Sequence, residues 1–154
     1  MLVQGALSNG APPSEMPLTK TKQEPHRGGY RAHPCTLWAS ENMGNWVWLF
    51  AHAEALCKEY TLRYGKTHYG ESQLNHLWSA FAWADYIPVG HRTPFARALN
   101  QSQGRNLDLL SDKYTGVEAY RIFYLREKAR FAKWEKGRKA PSWWPITPCE
   151  EVSE

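Results

Sequence analysis

The sequence contains few cysteines and no long apolar run, and both shortages argue against whole classes of protein. Its three cysteines form no C-x-x-C pair, and their odd number leaves one thiol over in any pairing scheme, which argues against a secreted disulfide scaffold. The longest nearly apolar stretch, residues 46–53, contains His52 and is far shorter than the roughly 20 residues of a membrane span. The first ten residues lack the basic and apolar regions of an export signal. We therefore expect a cytoplasmic protein without a membrane partner.

Motifs for metal binding, nucleotide binding and serine chemistry are missing as well. The six histidines show no H-x-x-x-H or H-E-x-x-H spacing, the spacings that place two zinc ligands on one helix face. There is no Gly-rich phosphate loop of the Walker or dinucleotide type and no G-x-S-x-G elbow. The sequence therefore predicts neither a metal site nor a cofactor.

In contrast, aromatic residues are abundant and positive charge is concentrated in one segment. Aromatic residues make up 14% of the chain, and eight of them are tryptophans. Residues 117–139 hold eight Lys or Arg against three Glu, a local excess of 8 − 3 = +5 in a chain whose net charge is +4. A basic helix with aromatic residues nearby is typical of a nucleic-acid-binding surface. An ordinary solvated helix face has the same composition, so both interpretations stay open.

Hydrophobic spacing predicts an all-α fold, a compact single-domain helical bundle. The strongest helix begins after Ser40, an N-cap residue, and ends at Gly65, a left-handed stop. The last helix is expected to stop at Gly137, and no segment alternates in the manner of a strand. The predicted helices cover residues 1–8, 41–64, 72–85, 94–99 and 117–136.

Composition divides the chain into three segments. Residues 1–36 form a short helix and an extended Pro- and Gly-rich arm, residues 37–145 form the helical core domain, and residues 146–154 form an acidic tail. The core domain ends in an irregular Trp- and Pro-rich stretch. We expect this stretch to fold back over the bundle, because adjacent Trp rings are costly to leave in water.

One flank of the predicted core helix gathers side chains of the catalytic and binding types. At 100° per residue, Trp48, His52, Glu59 and Arg63 fall within about 60° of each other. Glu59 and Arg63 have the favourable i,i+4 order, so imidazole, carboxylate and guanidinium are expected to line one groove. The turn at 63–69 adds two cations, two tyrosines and a histidine, which predicts a phosphate-binding or base-stacking surface. An exposed ion pair beside a histidine has the same spacing.

In the last predicted helix, Glu127 falls near the middle of the apolar stripe. An unpaired buried carboxylate is costly, so we expect a partner, with Arg121 and Lys128 as candidates. If Glu127 opens into a cleft instead, it is a candidate general acid or base.

Several strings resemble small phage-encoded proteins related to the pyrimidine-dimer DNA glycosylases of the endonuclease V type. Together the strings span residues 30–144 and are specific in their order and spacing. They are HPC-x-x-WA at 33–39, NW-x-WL at 45–49, ALC-x-EYT-x-RYGK-x-H at 55–68, AYR-x-x-Y-x-x-EKA-x-FA-x-W at 119–134 and P-x-W at 141–143.

The resemblance implies a helical protein that binds double-stranded DNA, damaged or modified, in the host cytoplasm. Such an enzyme displaces a nucleotide from the stack, attacks the sugar with an amine and breaks the strand by elimination, as a DNA glycosylase with AP lyase activity. The expected catalytic residues are Glu59, Glu127 and His52. The expected DNA-binding residues are Arg31, His33, Trp38, Tyr60, Arg63, Tyr64, Lys66, His68, Arg121, Tyr124 and Lys128.

The chain departs from the family pattern at its start, where Gln4 stands in place of a glutamate. The relatives begin with an Asp- and Arg-rich segment that leads into this helix, and this chain begins within the helix. An amide cannot accept a proton as a carboxylate does. We expect a DNA-binding relative with impaired catalysis, unless Glu15, Glu59 or Glu127 supplies the missing carboxylate.

Two other functions remain open at this point. One is a non-enzymatic accessory protein that binds nucleic acid or a host protein, with Trp143 and Trp144 as a docking patch. The other is a small enzyme that acts on a modified nucleotide or a free base, which requires an enclosed aromatic pocket instead of an open basic groove.

Overall fold

The computed structural model describes residues 1–80, 85–136 and 139–145. Their secondary structure is helical, and no strand occurs within these ranges apart from an isolated antiparallel bridge between Leu18 and Pro25. The predicted all-α fold is therefore confirmed. The chain divides into two compact units, unit 1 at Met1–Ala98 and unit 2 at Leu99–Glu154. The predicted acidic tail at 146–154 and the predicted helix stop at Gly137 lie outside the described residues.

Unit 1 is built from short helices around one long helix. Within its described residues it has four α-helices and one 3₁₀ turn, whose apolar faces meet in a core that includes Trp46, Phe50, Leu74, Leu77 and Ile87. The helices are α1 (Leu2–Ser8), α2 (Pro34–Glu41), α3 (Met43–Tyr64) and α4 (Tyr69–Ser79), and the 3₁₀ turn is Pro13–Glu15.

The predicted core helix is wrong at its start and right at its end. Asn42, not Ser40, is the N-cap of α3, and its side-chain oxygen accepts a hydrogen bond from the amide of Asn45 at 3.0 Å. Ser40 lies inside α2, where its hydroxyl donates to a carbonyl of its own helix. Gly65 ends α3 in the left-handed conformation, with φ +61°.

The predicted extended arm at 9–36 is a docked segment that also includes the first residues of α2. Pro34 lies within the predicted Pro-rich arm, but it is the first residue of α2, a position that proline suits. The imidazole of His33 caps that helix by accepting from the amide of Cys35 at 3.2 Å. Met16 is fully buried, and the carbonyl of Leu18 accepts from α4, so this segment packs as part of the core.

The two remaining helix predictions in unit 1 differ from the structure. The helix predicted at 72–85 begins three residues earlier and ends at Ser79, with residues 81–84 outside the described ranges. The helix predicted at 94–99 is absent. Tertiary contacts hold that segment instead, because the amide of Thr93 donates to Asn45 and Phe95 packs on Trp48.

Unit 2 has one α-helix in its described residues, α5 (Gly116–Glu127). Thr115 and Glu118 start it with a capping box, in which each side chain accepts from the other residue's backbone amide. Its buried side chains, Ala119 and Phe123, pack on Leu99 and Leu109. Three 3₁₀ turns accompany it, at Ser102–Gly104, Leu107–Leu110 and Ala129–Phe131.

The helix predicted at 117–136 is therefore wrong in its second half. Beyond Phe123, none of the described side chains of unit 2 is buried. Helices of this length depend on packing more than on intrinsic propensity. The chain therefore leaves the α-helical conformation at Lys128, although the apolar spacing continues to Trp134.

The start of α3 is joined to the segment at 88–93 by backbone hydrogen bonds. The first amides of the helix, of Met43 and Gly44, donate to the carbonyls of Pro88 and Gly90 at 2.8 and 3.0 Å, so two donors that lack helical partners are satisfied. The backbones approach so closely that a Cβ on Gly44 would lie 2.6 Å from the carbonyl carbon of His91 and would collide with the next amide nitrogen. Only glycine fits at this position.

We expect Gly44→Ala to lower the free energy of unfolding by about 1–3 kcal/mol, because the added methyl group overpacks a backbone contact. At an unobstructed helix position, alanine would instead raise the free energy of unfolding by about 1 kcal/mol relative to glycine. A decrease therefore indicates the backbone contact, and an increase indicates its absence. Urea denaturation measures the change. Gly29→Ala is the matched control, since a Cβ there meets no atom within 4 Å. A Gly44→Ala protein as stable as the wild type would contradict the close approach.

Candidate functional site

Unit 1 contains a cavity of about 620 Å³ between α1, the loop at 26–30, α3 and α4. Its size lies in the range of roughly 300–1,000 Å³ that is usual for small-molecule sites. The walls are mainly apolar, and Leu56 and Leu77 contribute to them. Tyr30, Tyr60 and His68 add aromatic rings to the lining.

His68 links the cavity to the start of α4. Its Nδ1 accepts a hydrogen bond from the amide of Gly70 at 3.0 Å, which caps the helix and places the proton of a neutral ring on Nε2. The edge of its ring lies on Tyr60, with 5.0 Å between centroids. Tyr60 in turn packs on Tyr64 at 4.8 Å. The structure thus brings together three of the predicted DNA-binding residues.

Cys57 lies beneath this cluster, with its Sγ 3.9 Å from Nδ1 of His68. Burial raises the pKa of this thiol, and the negative charges of Glu71 and Glu54 raise it further. The thiol is therefore protonated at neutral pH and is not a nucleophile, because nucleophilic attack requires the thiolate.

The flank of α3 that carries Trp48, His52, Glu59 and Arg63 lies outside the lining of this cavity, to which α3 contributes other residues. The rings of Trp48 and His52 are stacked 5.1 Å apart, and Nε of Arg63 donates to Oε1 of Glu59 at 2.6 Å, so the predicted i,i+4 pair is present. Both members of this ion pair keep nearly 30% of their side-chain surface exposed. Glu59 precedes Tyr60 in the helix and therefore lies about 100° around the helix axis from it, on the neighbouring face.

Other predicted residues of unit 1 lie away from this cluster or are engaged in packing. Trp38 is only 5% exposed and lies between Trp48 and Phe95, so insertion of its ring into DNA would require it to leave that packing. Arg31 and Lys66 are exposed, whereas the imidazole of His33 caps α2 as described above.

Sequence reasoning missed the structural role of Gln4. This residue is buried, with its Oε1 accepting from the amide of Gly29 and its Nε2 donating to Ser8, both at 3.0 Å. It therefore positions the loop that forms one wall of the cavity. The neighbouring Gly28, at φ +74°, leaves no room for a Cβ beside the Gln4 amide. The Gly28–Gly29 pair indicates a turn in the sequence, but the side chain that holds this turn, Gln4, lies 25 residues away from Gly29.

The main-chain amino group of Met1 belongs to the same region, since Met1 also lines the cavity. Burial lowers the pKa of this amine. A larger fraction of it is therefore unprotonated at neutral pH than in an exposed amine.

In unit 2, Glu127 has partners other than those predicted. Its Oε1 accepts from Nδ2 of Asn106 at 3.3 Å, and its Oε2 lies 3.8 Å from Nη1 of Arg105. The expectation that it is paired is confirmed, but the cation is Arg105 and not Arg121 or Lys128. Arg121 and Tyr124 are exposed on α5, and Lys128 follows them at the end of the helix.

Comparison of the chain with protein-family models, with curated proteins and with solved structures returned no match. Among the described residues, no group of three or more His, Cys, Asp or Glu side chains is placed to hold a metal ion. None of the helices in those ranges combines the length and apolar character needed to cross a bilayer.

We expect His68→Ala to lower the free energy of unfolding by about 1 kcal/mol, because α4 loses its N-cap acceptor. His68→Asn should restore most of this loss, since asparagine is a favourable N-cap residue. Urea denaturation measures both. Equal stability of the alanine, asparagine and wild-type proteins would show that the hydrogen bond from the Gly70 amide to residue 68 does not contribute to the free energy of unfolding.

Proposed function

We propose that this protein is a DNA glycosylase with AP lyase activity. It binds damaged or modified double-stranded DNA and takes a displaced nucleotide into the cavity of unit 1. One observation carries the proposal. The cavity is large enough for a nucleotide, and its wall offers the rings of Tyr60 and His68 for stacking. The Glu59–Arg63 pair lies on the neighbouring face of α3. Enzymes that act on a base within a duplex require such a pocket outside the stack.

Two basic residues close in sequence to Tyr60 and His68 support DNA as the ligand. Arg63 lies about one turn after Tyr60 on α3, and Lys66 is exposed on the turn that leads to His68. Both are suited to contact phosphates, which position a nucleic acid without specifying its sequence. Affinity for DNA should therefore fall steeply as salt rises.

The proposed reaction begins with attack of an unprotonated amine on C1′ of the displaced nucleotide. The bond from C1′ to the base breaks, its electron pair leaves with the base, which takes up a proton, and the amine takes the place of the base on C1′. The attached amine loses a proton, the bond from C1′ to O4′ breaks with its electron pair on O4′, which takes up a proton, and an iminium ion then joins the amine to the opened sugar. Removal of a C2′ proton by Glu59 then expels the 3′ phosphate and breaks the strand. The cavity amine of Met1 and the side chain of Lys66 are the two candidate nucleophiles.

The test combines the protein with ultraviolet-irradiated or untreated duplex oligonucleotides in the presence of borohydride, which reduces the iminium ion to a stable adduct. We expect strand cleavage and an adduct on irradiated DNA only, and peptide mapping of the adduct distinguishes Met1 from Lys66. Glu59→Gln should reduce cleavage by about 100-fold, within the range for loss of a general base, while DNA binding is retained. Glu54→Gln, on another side of α3, is the control and should keep its activity.

Two results would contradict the enzymatic proposal. One is retained DNA binding with no adduct and no cleavage, which would favour the non-enzymatic accessory function. The other is equal activity of the Glu59→Gln and Glu54→Gln proteins, which would remove Glu59 from the chemistry. Use of His68→Asn in the same assay removes the imidazole from the cavity wall while keeping the cap of α4.

A further inference from the structure

We propose that unit 2 binds unpaired bases of single-stranded nucleic acid through a band of alternating cationic and aromatic side chains. The band, called the aromatic band below, consists of Arg121, Tyr124, Lys128, Phe131 and Trp143. The ring–cation contacts that define it lie within unit 2, so the proposal does not rest on the chemistry proposed for unit 1.

Helical spacing aligns the central part of the aromatic band. Arg121 and Tyr124 are three residues apart on one face of α5, and Lys128 follows directly after the last residue of the helix. A ring lies beside the cation at each end. The guanidinium of Arg121 is 5.5 Å from the ring centre of Trp143, and Nζ of Lys128 is 5.5 Å from that of Phe131.

Two rings of the band are exposed. Phe131 keeps 53% of its surface exposed and Tyr124 keeps 49%. Phe131 also has a second cation beside it, since the guanidinium of Arg130 is 5.6 Å from its ring centre. Exposed rings next to cations are the arrangement with which proteins stack bases and hold the connecting phosphates.

The charges of the band are available to a ligand. Within the described part of the chain, neither Lys128 nor Arg130 has a carboxylate within ion-pair distance. Arg126 differs, because it donates two hydrogen bonds to Asp108 at 2.9 and 3.0 Å. The complementary partner is therefore a polyanion that carries flat rings. Unpaired strands present the faces of their bases, whereas a duplex hides them in its stack.

The test compares an oligothymidylate of about twelve nucleotides, within the usual site size, with an abasic oligomer of the same length and charge. Fluorescence anisotropy of labelled oligomers measures the affinity of the full chain. We expect tighter binding of the oligothymidylate by about tenfold or more, since each stacked base contributes roughly fivefold or more and the band has more than one ring. Phe131→Ala and Tyr124→Ala should each reduce this preference, whereas Lys128→Gln should weaken binding of both oligomers.

Leu107→Ala is the matched control, because Leu107 is an apolar residue of unit 2 with the same exposed fraction as Phe131, 53%. It should leave both affinities unchanged. Equal affinity for the two oligomers, or a preference for an intact duplex over the oligothymidylate, would overturn the proposal. Since Phe131 is exposed, circular dichroism of the variants should match the wild type. Glu59→Gln should bind the oligothymidylate with the affinity of the wild type. Absence of single-strand binding and absence of the proposed glycosylase activity are therefore distinguishable.

Discussion

The buried amide of Asn45 is the interaction on which unit 1 depends. Its Nδ2 donates to the carbonyl of Trp38 at 2.8 Å and to the hydroxyl of Thr93 at 2.9 Å, and its Oδ1 accepts from the amide of Thr93 at 2.8 Å. One fully buried side chain thus joins α2, α3 and the segment at 88–93. Buried polar groups that lose a partner are costly, so this network fixes the direction in which α3 leaves its first turn.

The direction of α3 decides which of its sides can carry a site. One side packs Trp46 and Phe50 into the core, and another forms a wall of the cavity with Leu56 and Tyr60. The flank with Glu59 and Arg63 is a third side, outside the lining of the cavity. A long helix that is held at its start therefore presents a core face, a cavity wall and a charged flank on separate sides.

Features of the structure that depend on local sequence signals were predicted correctly, whereas features that depend on residues distant in sequence were not. Gly65 and the i,i+4 spacing of Glu59 and Arg63 are local, and the structure has both as expected. The start of α3 at Asn42 was missed because Ser40 has the same capping chemistry, and tertiary contacts of Asn45 decide between them. The cavity was missed for the same reason, since Gln4 positions its loop from far away in sequence. The DNA ligand and the catalytic roles remain predictions.

The central claim is that a displaced nucleotide enters the cavity of unit 1, and nuclear magnetic resonance of the full chain tests it most directly. The side-chain resonances of His68 and Tyr60 are followed while duplex DNA with or without a pyrimidine dimer is added. The account predicts that both resonances shift with the dimer-containing duplex and stay nearly unchanged with the undamaged one. Equal shifts with both duplexes, or shifts confined to unit 2, would contradict it.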